Sequence, residues 1–215
     1  GLNENHRTRS KLPTRAEVKE ALIHKLSSMQ AEGVAPDVIT FAGNGEPTMH
    51  PEFAGIIDDT IETRNRFFPK AKIAVLSNST MLYKEDVFQA LNKIEDNILK
   101  LDSISDSRIG QLNVPNSPAF TFDRLLEQLC RFNGNLIIQT MFLKGEVNGE
   151  SVTNTTEHEI SGWLEALKQI KPKQVMIYTI DRETPVKNLK KVTKDELEAI
   201  ADRARQEGFE VMVSA

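Results

Sequence analysis

The sequence predicts an α/β fold, a parallel sheet wrapped in helices. Three observations carry this: short β-branched runs alternate with segments of helical period along the chain, the runs are apolar on both faces, and polar residues cluster where each run ends. Right-handed crossovers collect the C-terminal ends of such strands on one edge, which makes that edge the expected site. At 215 residues and 24.2 kDa the chain fits a single domain over residues 1–215.

The elements follow in order. Thr14 with Glu17 forms a reciprocal capping pattern, and Val18, Leu22, Leu26 and Met29 recur at helical spacing until Gly33 stops them. After Pro36, residues 38–42 read as a buried strand that breaks into a glycine-rich turn at 43–47. Pro51 opens a helix carrying Phe53, Ile56, Ile57 and Ile61, which leads to a strand at 73–76 closed by Ser77, Asn78 and Ser79. A helix around Val87, Leu91 and Ile94 precedes a strand at 98–101 that ends at Asp102 and Ser103. A helix at 121–132, stopped by Gly134, precedes a strand at 136–143. Asn154 with Glu157 starts the next helix, through Trp163, Leu164 and Leu167, before a strand at 175–180 and Asp181. Thr193 and Glu196 cap a last helix that ends at Gly208, and residues 211–213 form a closing strand.

Composition removes several functions. A net charge of −4 and a pI near 5.7 leave no electrostatic footprint for nucleic acid. No run approaches the roughly 18 apolar residues of a membrane span, and residues 1–10 lack the apolar region of a secretory signal, so a soluble, cytoplasmic protein is expected. Cys130 is the single cysteine, which excludes an intrachain disulfide and any zinc or cluster site built from several thiolates of this chain. On an apolar helix face beside Leu129 it reads as a small hydrophobe. His6, His24, His50 and His158 show no pair at metal-binding spacing.

One stretch, residues 40–51, has unusual content. Its glycines permit close backbone approach, and Pro47 fixes its own φ while holding Glu46 extended. An extended strand end can offer carbonyls and amides to an amino acid laid alongside it. Read locally, the same residues also make an ordinary strand-to-helix turn with a solvated Glu46.

The wider phrase resembles the second-strand signature of the radical S-adenosylmethionine (SAM) superfamily. Its extended form, Gly43-Asn44-Gly45-Glu46-Pro47-Thr48 with His50-Pro51, is similar to that of uncharacterised iron-sulfur oxidoreductases of that superfamily. The resemblance implies a partial six-strand (β/α) barrel in which Gly45, Glu46 and Pro47 shape the pocket for the methionine end of SAM. It puts Asn78 in the polar pair after the family's third strand, and Asp102, within Lys100-Leu101-Asp102, near the ribose. Gln139, in Gln139-Thr140-Met141, falls on the fifth strand. Ile180, in Tyr178-Thr179-Ile180-Asp181-Arg182 with Thr184-Pro185, falls at the end of the sixth, where the family packs the adenine. Each has a local alternative: a turn for Ser77-Asn78, a helix cap for Asp102, a core aromatic for Tyr178.

The family also holds a [4Fe-4S] cluster through three closely spaced cysteines in the loop after its first strand, and reduction of that cluster cleaves SAM to a 5'-deoxyadenosyl radical. With one cysteine, and a helix where that loop would end, the chain is expected to lack the first strand and the cluster loop. It is then an N-terminally truncated fragment of an oxidoreductase, inactive alone, with weak SAM affinity, whose parent needs an electron donor as partner. The open sheet edge invites self-association. The substrate is shaped by residues 103–120 and 144–153. Two rival readings stay open: a lyase or hydrolase using Glu46, Asp102 and Asp181 as acid, base or divalent-metal ligands, and a non-catalytic binding module.

Overall fold

The computed structural model describes residues 12–42, 45–113, 120–147, 149–180 and 188–215. The architecture is α/β, with six strands in one sheet in the order β1 (Val38–Phe41), β2 (Lys72–Ser77), β3 (Asp96–Lys100), β4 (Ile137–Met141), β7 (Gln174–Tyr178) and β9 (Val211–Ser214), and a separate three-stranded sheet in the order β6 (Glu150–Ser151), β5 (Leu143–Val147) and β8 (Leu189–Lys191). The pairs β1 with β2, β4 with β7 and β7 with β9 are parallel. The described residues form two compact units, one of 12–77 and 81–98, the other of 78–80 and 99–215. None of the described helices is long and apolar enough to cross a membrane.

The first unit contains α1 (Arg15–Ala31), β1 (Val38–Phe41), a 3-10 turn (Pro47–Met49), α2 (Phe53–Phe67), β2 (Lys72–Ser77), α3 (Glu85–Asn92) and the start of β3 (Asp96–Lys100). Both halves of the expected capping box are made: Thr14 Oγ1 accepts from the Glu17 amide, and the Glu17 carboxylate accepts from Thr14 N–H at 2.6 Å. Residues 38–42 were expected to be buried on both faces, and here the structure differs. β1 is the outermost strand, its residues alternate between exposed and half-buried, and Val38 is 44% exposed, whereas Ile73 and Val75 of β2 are fully buried. The apolar run reports strand propensity, and burial depends on having neighbours on both sides.

Helices α1 and α2 are tied by charge. Arg15 Nε and Lys19 Nζ meet the Asp59 carboxylate at 2.6 and 3.1 Å. The Arg15 hydrogen bond, ahead of burial that opposes it, holds Asp59 at about 2, below its ordinary 3.8. A carboxylate depressed by folding contributes stability that is present above the unfolded value and lost as pH falls through the folded one. The α1–α2 contact should therefore weaken between about pH 4 and pH 2, and the stability difference between the wild type and Asp59→Asn should shrink across that window. Urea melts at pH 5 and at pH 2 check this, and a difference that does not change with pH would refute it.

The second unit contains α4 (Asp106–Asn113), α5 (Phe122–Cys130), β4 (Ile137–Met141), β5 (Leu143–Val147), β6 (Glu150–Ser151), α6 (Glu157–Ile170), β7 (Gln174–Tyr178), β8 (Leu189–Lys191), α7 (Lys194–Gln206) and β9 (Val211–Ser214). The expected strand over 136–143 is two strands. Chain direction changes at Phe142, whose N–H donates to Tyr178 O at 2.8 Å and whose ring meets Trp163 edge-on at 5.4 Å, so β4 ends in the parallel sheet and β5 begins the antiparallel one. Within that small sheet Gly145 has φ +127°, and a Cβ built there would lie 2.0 Å from Asn188 O, so only glycine lets β5 pass β8.

The start of α6 also departs from expectation. Its cap is Thr156, accepting from the Glu159 amide at 3.3 Å, and not Asn154. Asn154 is buried and does different work: its Oδ1 accepts from Leu143 N–H at 2.8 Å while its Nδ2 donates to Asp102 O at 2.6 Å and Met141 O at 2.7 Å. One amide thus bridges the chain just past β3, the end of β4 and the start of β5. Helix α4 was not anticipated. It is held by Arg108, which donates to Glu159 Oε1 at 2.6 Å, while the other Glu159 oxygen accepts from Ser103 Oγ and Ile104 N–H.

In β4 and β7 the two faces separate cleanly. Ile138, Thr140, Val175 and Ile177 are all but sealed, with Trp163 of α6 donating to Thr140 Oγ1 at 2.9 Å. Gln139, Met141, Met176 and Tyr178 lie on the opposite face, half-buried, with Gln139 opposite Met176 and Met141 opposite Tyr178.

Candidate cofactor site

The first unit carries the turn after β1. Glu46 is extended at the head of the 3-10 turn, as Pro47 dictates, and its carboxylate turns back: Oε1 accepts from Thr48 N–H at 3.1 Å, Thr48 Oγ1 at 2.5 Å and Ser77 Oγ, at the end of β2, at 2.8 Å. The carboxylate is locked, not freely solvated. Among the described residues a Cβ added at Gly45 would meet nothing within 4 Å, so none of them requires that glycine or covers the backbone there. His50 closes the turn, its Nε2 bonding Pro13 O at 2.8 Å and its Nδ1 accepting from Glu52 N–H at 3.1 Å. Gly43 and Asn44 lie outside the described residues.

Within the second unit, by itself, lie the ends of β3, β4 and β7. Asp102 is 3% exposed, and its Oδ1 accepts from Met141 N–H at 2.8 Å, while Oδ2 lies 3.4 Å from Asn113 Nδ2 and 3.6 Å from Lys100 Nζ. The expectation of a helix cap is not met at Asp102, because its carboxylate caps a strand end. Asn78 makes a tight turn in which its Oδ1 accepts from Thr80 N–H and Oγ1, and its carbonyl receives Asn113 Nδ2 at 3.4 Å. Asn113 therefore links Asn78 to Asp102.

Gln139 is half-buried on the open face of β4, and its carbonyl accepts from Leu101 N–H at 3.1 Å. Ile180 packs in an apolar cluster with Leu112, Leu143 and Val152, with Met141 against it. Asp181, Arg182, Thr184 and Pro185 lie outside the described residues.

Lys100 and Tyr178 lie in this second unit too; neither was among the expected site residues, Tyr178 having the local reading of a core aromatic. From the end of β3 the Lys100 ammonium lies 5.5 Å from the centre of the Tyr178 ring at the end of β7, two strands away. Burial would push that ammonium down, but the Asp102 charge and Tyr178 outweigh it, and it is held above its ordinary range. Burial pushes the Tyr178 phenol up, against the Lys100 charge. The signal for Lys100 was present: a lysine ending an apolar strand, opposite in parity to the buried Leu99. Asn113 and Asn154 had none, since their partners are remote in sequence.

Among the described residues no group of three or more histidine, cysteine or acidic side chains could hold a metal ion. Cys130 is half-buried on α5, and burial raises its thiol.

The parallel α/β sheet, with polar groups collected past its strand ends, is a fold that solved structures share with this chain. The chain is similar to a domain of pyruvate-formate lyase-activating enzyme from Bacteroides vulgatus, at a TM-score of 0.59 and 18% identity, covering 82% of this chain and 98% of that one. It is also similar to SuiB of Streptococcus suis bound to S-adenosylmethionine, at a TM-score of 0.67 and 15% identity, covering 98% of this chain and 45% of that one. The likeness is one of fold.

No family model matches the sequence. A UPF0026 protein of Helicobacter pylori is 28% identical over 183 residues, 83% of this chain and 55% of that protein. A GTPase Obg of Brachyspira hyodysenteriae is 23% identical over 201 residues, 92% of this chain and 28% of that protein, although this sequence has no Gly-x-x-x-x-Gly-Lys-Ser/Thr phosphate loop. The chain spans about half the length of the UPF0026 relatives it matches.

Proposed function

We propose that this chain is the SAM-binding core of a radical SAM oxidoreductase. The observation that carries the reading is the turn after β1: a Gly-Glu-Pro segment at a strand's C-terminal end, with its carboxylate pinned by three donors and its glycine backbone uncovered by the other described residues. Gly45, Glu46 and Pro47 would hold the methionine end of the cofactor, and Asn78 and Asp102 the sugar. Gln139 would contribute from the open face of β4, and Ile180 would line the adenine pocket only through its backbone, since its side chain is committed to the apolar cluster.

SAM bound to a reduced [4Fe-4S] cluster supplies a 5'-deoxyadenosyl radical. The residues of this chain do not fit the cluster itself: one cysteine, with its thiol raised by burial, cannot replace a thiolate triplet. The cluster ligands therefore belong to polypeptide other than these 215 residues.

The test uses the parent protein with any upstream segment included. Anaerobic iron-sulfur reconstitution followed by reduction with SAM should yield 5'-deoxyadenosine, and the 215-residue chain should yield none. Absence of both iron and SAM cleavage in the parent would overturn the proposal.

A further inference from the structure

Helix α4 is poorly satisfied where it docks. Among the described residues, the buried side-chain polar atoms without a hydrogen-bond partner belong to four residues, and three of these are on this one helix: Arg108 Nε, Gln111 Oε1 and Asn113 Oδ1. The contacts that α4 does make are uneven. Arg108 meets Glu159 at 2.6 Å, but Asn113 Nδ2 reaches Asn78 O and Asp102 Oδ2 only at 3.4 Å each. Its buried apolar side chains are Ile109 and Leu112. A buried polar atom left unpaired costs about as much as burying one apolar side chain contributes, so the three orphaned atoms offset most of that apolar hold.

The helix is also weak in itself. It has eight residues, and Gly110 stands in its middle, exposed, with nothing within 4 Å of where a Cβ would sit. None of the described residues requires a glycine there, and glycine in a helix interior is less stable than alanine. A helix this short depends on its docking to exist at all.

Beneath α4 lies part of the strand-end site. Asn113 rests against Asp102 and Asn78, and Leu112 packs with Ile180, Leu143 and Val152. Asp102 is 3% exposed, one oxygen taken by the Met141 amide and the other beside Asn113 and Lys100, so no ligand reaches its carboxylate while α4 is docked.

We infer that α4 is a movable cover, which lifts from the rest of the second unit while β4, α6 and β7 stay folded, and that a ligand reaches Asp102 and Asn78 only when it lifts. Lifting returns the three orphaned atoms to water and leaves the Met141 hydrogen bond to Asp102 in place. The movement stands on the contacts of α4 alone, and the access it controls rests on the reading of Asp102 and Asn78 as the residues that hold the sugar.

Amide hydrogen exchange of the 215-residue chain, followed by NMR at rising urea concentration, tests the movement. The Ile109 and Leu112 amides should exchange through an opening that low urea barely changes, whereas amides of β4 and α6 exchange through a strongly urea-dependent one. Gly110→Ala, which removes no contact, should slow exchange in α4 about 2- to 5-fold. Arg108→Met should speed it about 10- to 100-fold, the worth of a hydrogen bond between charged groups. Equal urea dependence for α4 and α6 in the wild type would overturn the cover, and that comparison needs neither variant to fold.

Calorimetric binding of S-adenosylhomocysteine to the same three proteins tests access. Affinity should follow the lifted fraction: weaker by about 2- to 5-fold in Gly110→Ala, and stronger in Arg108→Met in proportion to its faster exchange in α4. The same affinity in all three would overturn the control of access. Local lifting of α4 with no S-adenosylhomocysteine bound by any of them would leave the cover standing and count against the cofactor reading alone.

Discussion

Asp102→Ala should cost the chain about 3–5 kcal/mol, the range for breaking a buried ion pair by removing one partner. The substitution strips two things at once. Lys100 loses its counter-charge while three-quarters buried, and the Met141 N–H loses the oxygen that receives it at 2.8 Å. Partial exposure of Lys100 places the expected value toward the lower end, because water can reach some of the ammonium. Asp102→Asn keeps an oxygen for Met141 and should cost less, about 1–2 kcal/mol.

A paired design separates charge from hydrogen bonding. Lys100→Met combined with Asp102→Asn should recover part of the loss seen with Asp102→Asn alone, since no unpaired cation remains. The pH dependence has a definite sign. Lys100 is raised on folding, so its contribution is complete below its unfolded value and disappears only as pH climbs through the folded one. Between about pH 6 and pH 9 the difference between the wild type and Asp102→Asn should therefore be flat. Urea melts across that interval test this, and a slope would refute it.

Asn154→Ala should be nearly as damaging, at about 3 kcal/mol, because three hydrogen bonds leave with one buried amide and the Leu143 N–H and two carbonyls lose this partner. Asn154→Asp is the sharper probe. A carboxylate could still accept from Leu143, but it would face the carbonyls of Asp102 and Met141 with nothing to donate, so it should fall below even the alanine variant. A loss under about 1 kcal/mol for either variant would show that Asn154 fills space and does not bind the strand ends together.

These residues also mark how far the sequence could be read. Elements with local causes were legible: the capping boxes at Thr14 and Thr193 are both made, the six strands of the main sheet lie where the apolar runs are, and Gly33, Gly134 and Gly208 sit at positive φ just past helix ends. What failed depended on partners far along the chain. An asparagine two residues ahead of a threonine looks like either cap, and only the arrival of Asp102 and Met141 decides that Asn154 serves the strand ends instead. Phe142 looks like one more residue of an apolar strand until Trp163 and the Tyr178 carbonyl turn it.

The site was legible in the same uneven way. A motif in consecutive residues, Gly45 to Pro47, could be found by reading along the chain, and so could Asp102 as a polar strand end. The triple contact of Lys100, Asp102 and Tyr178 could not, because it joins strands separated by more than seventy residues and depends on the order in which β3, β4 and β7 lie side by side.

Gly145 has a consequence for descent. With Asn188 O only 2.0 Å from where a side chain would begin, any lineage that replaces this glycine must first move the backbone at 188, two steps of which the first alone loosens β5 from β8. Intermediates on that path are penalised before the second change arrives. Position 145 should therefore stay glycine in relatives that keep the small sheet, and should be released only where that sheet has been rebuilt, so one residue dates such remodelling within a family tree.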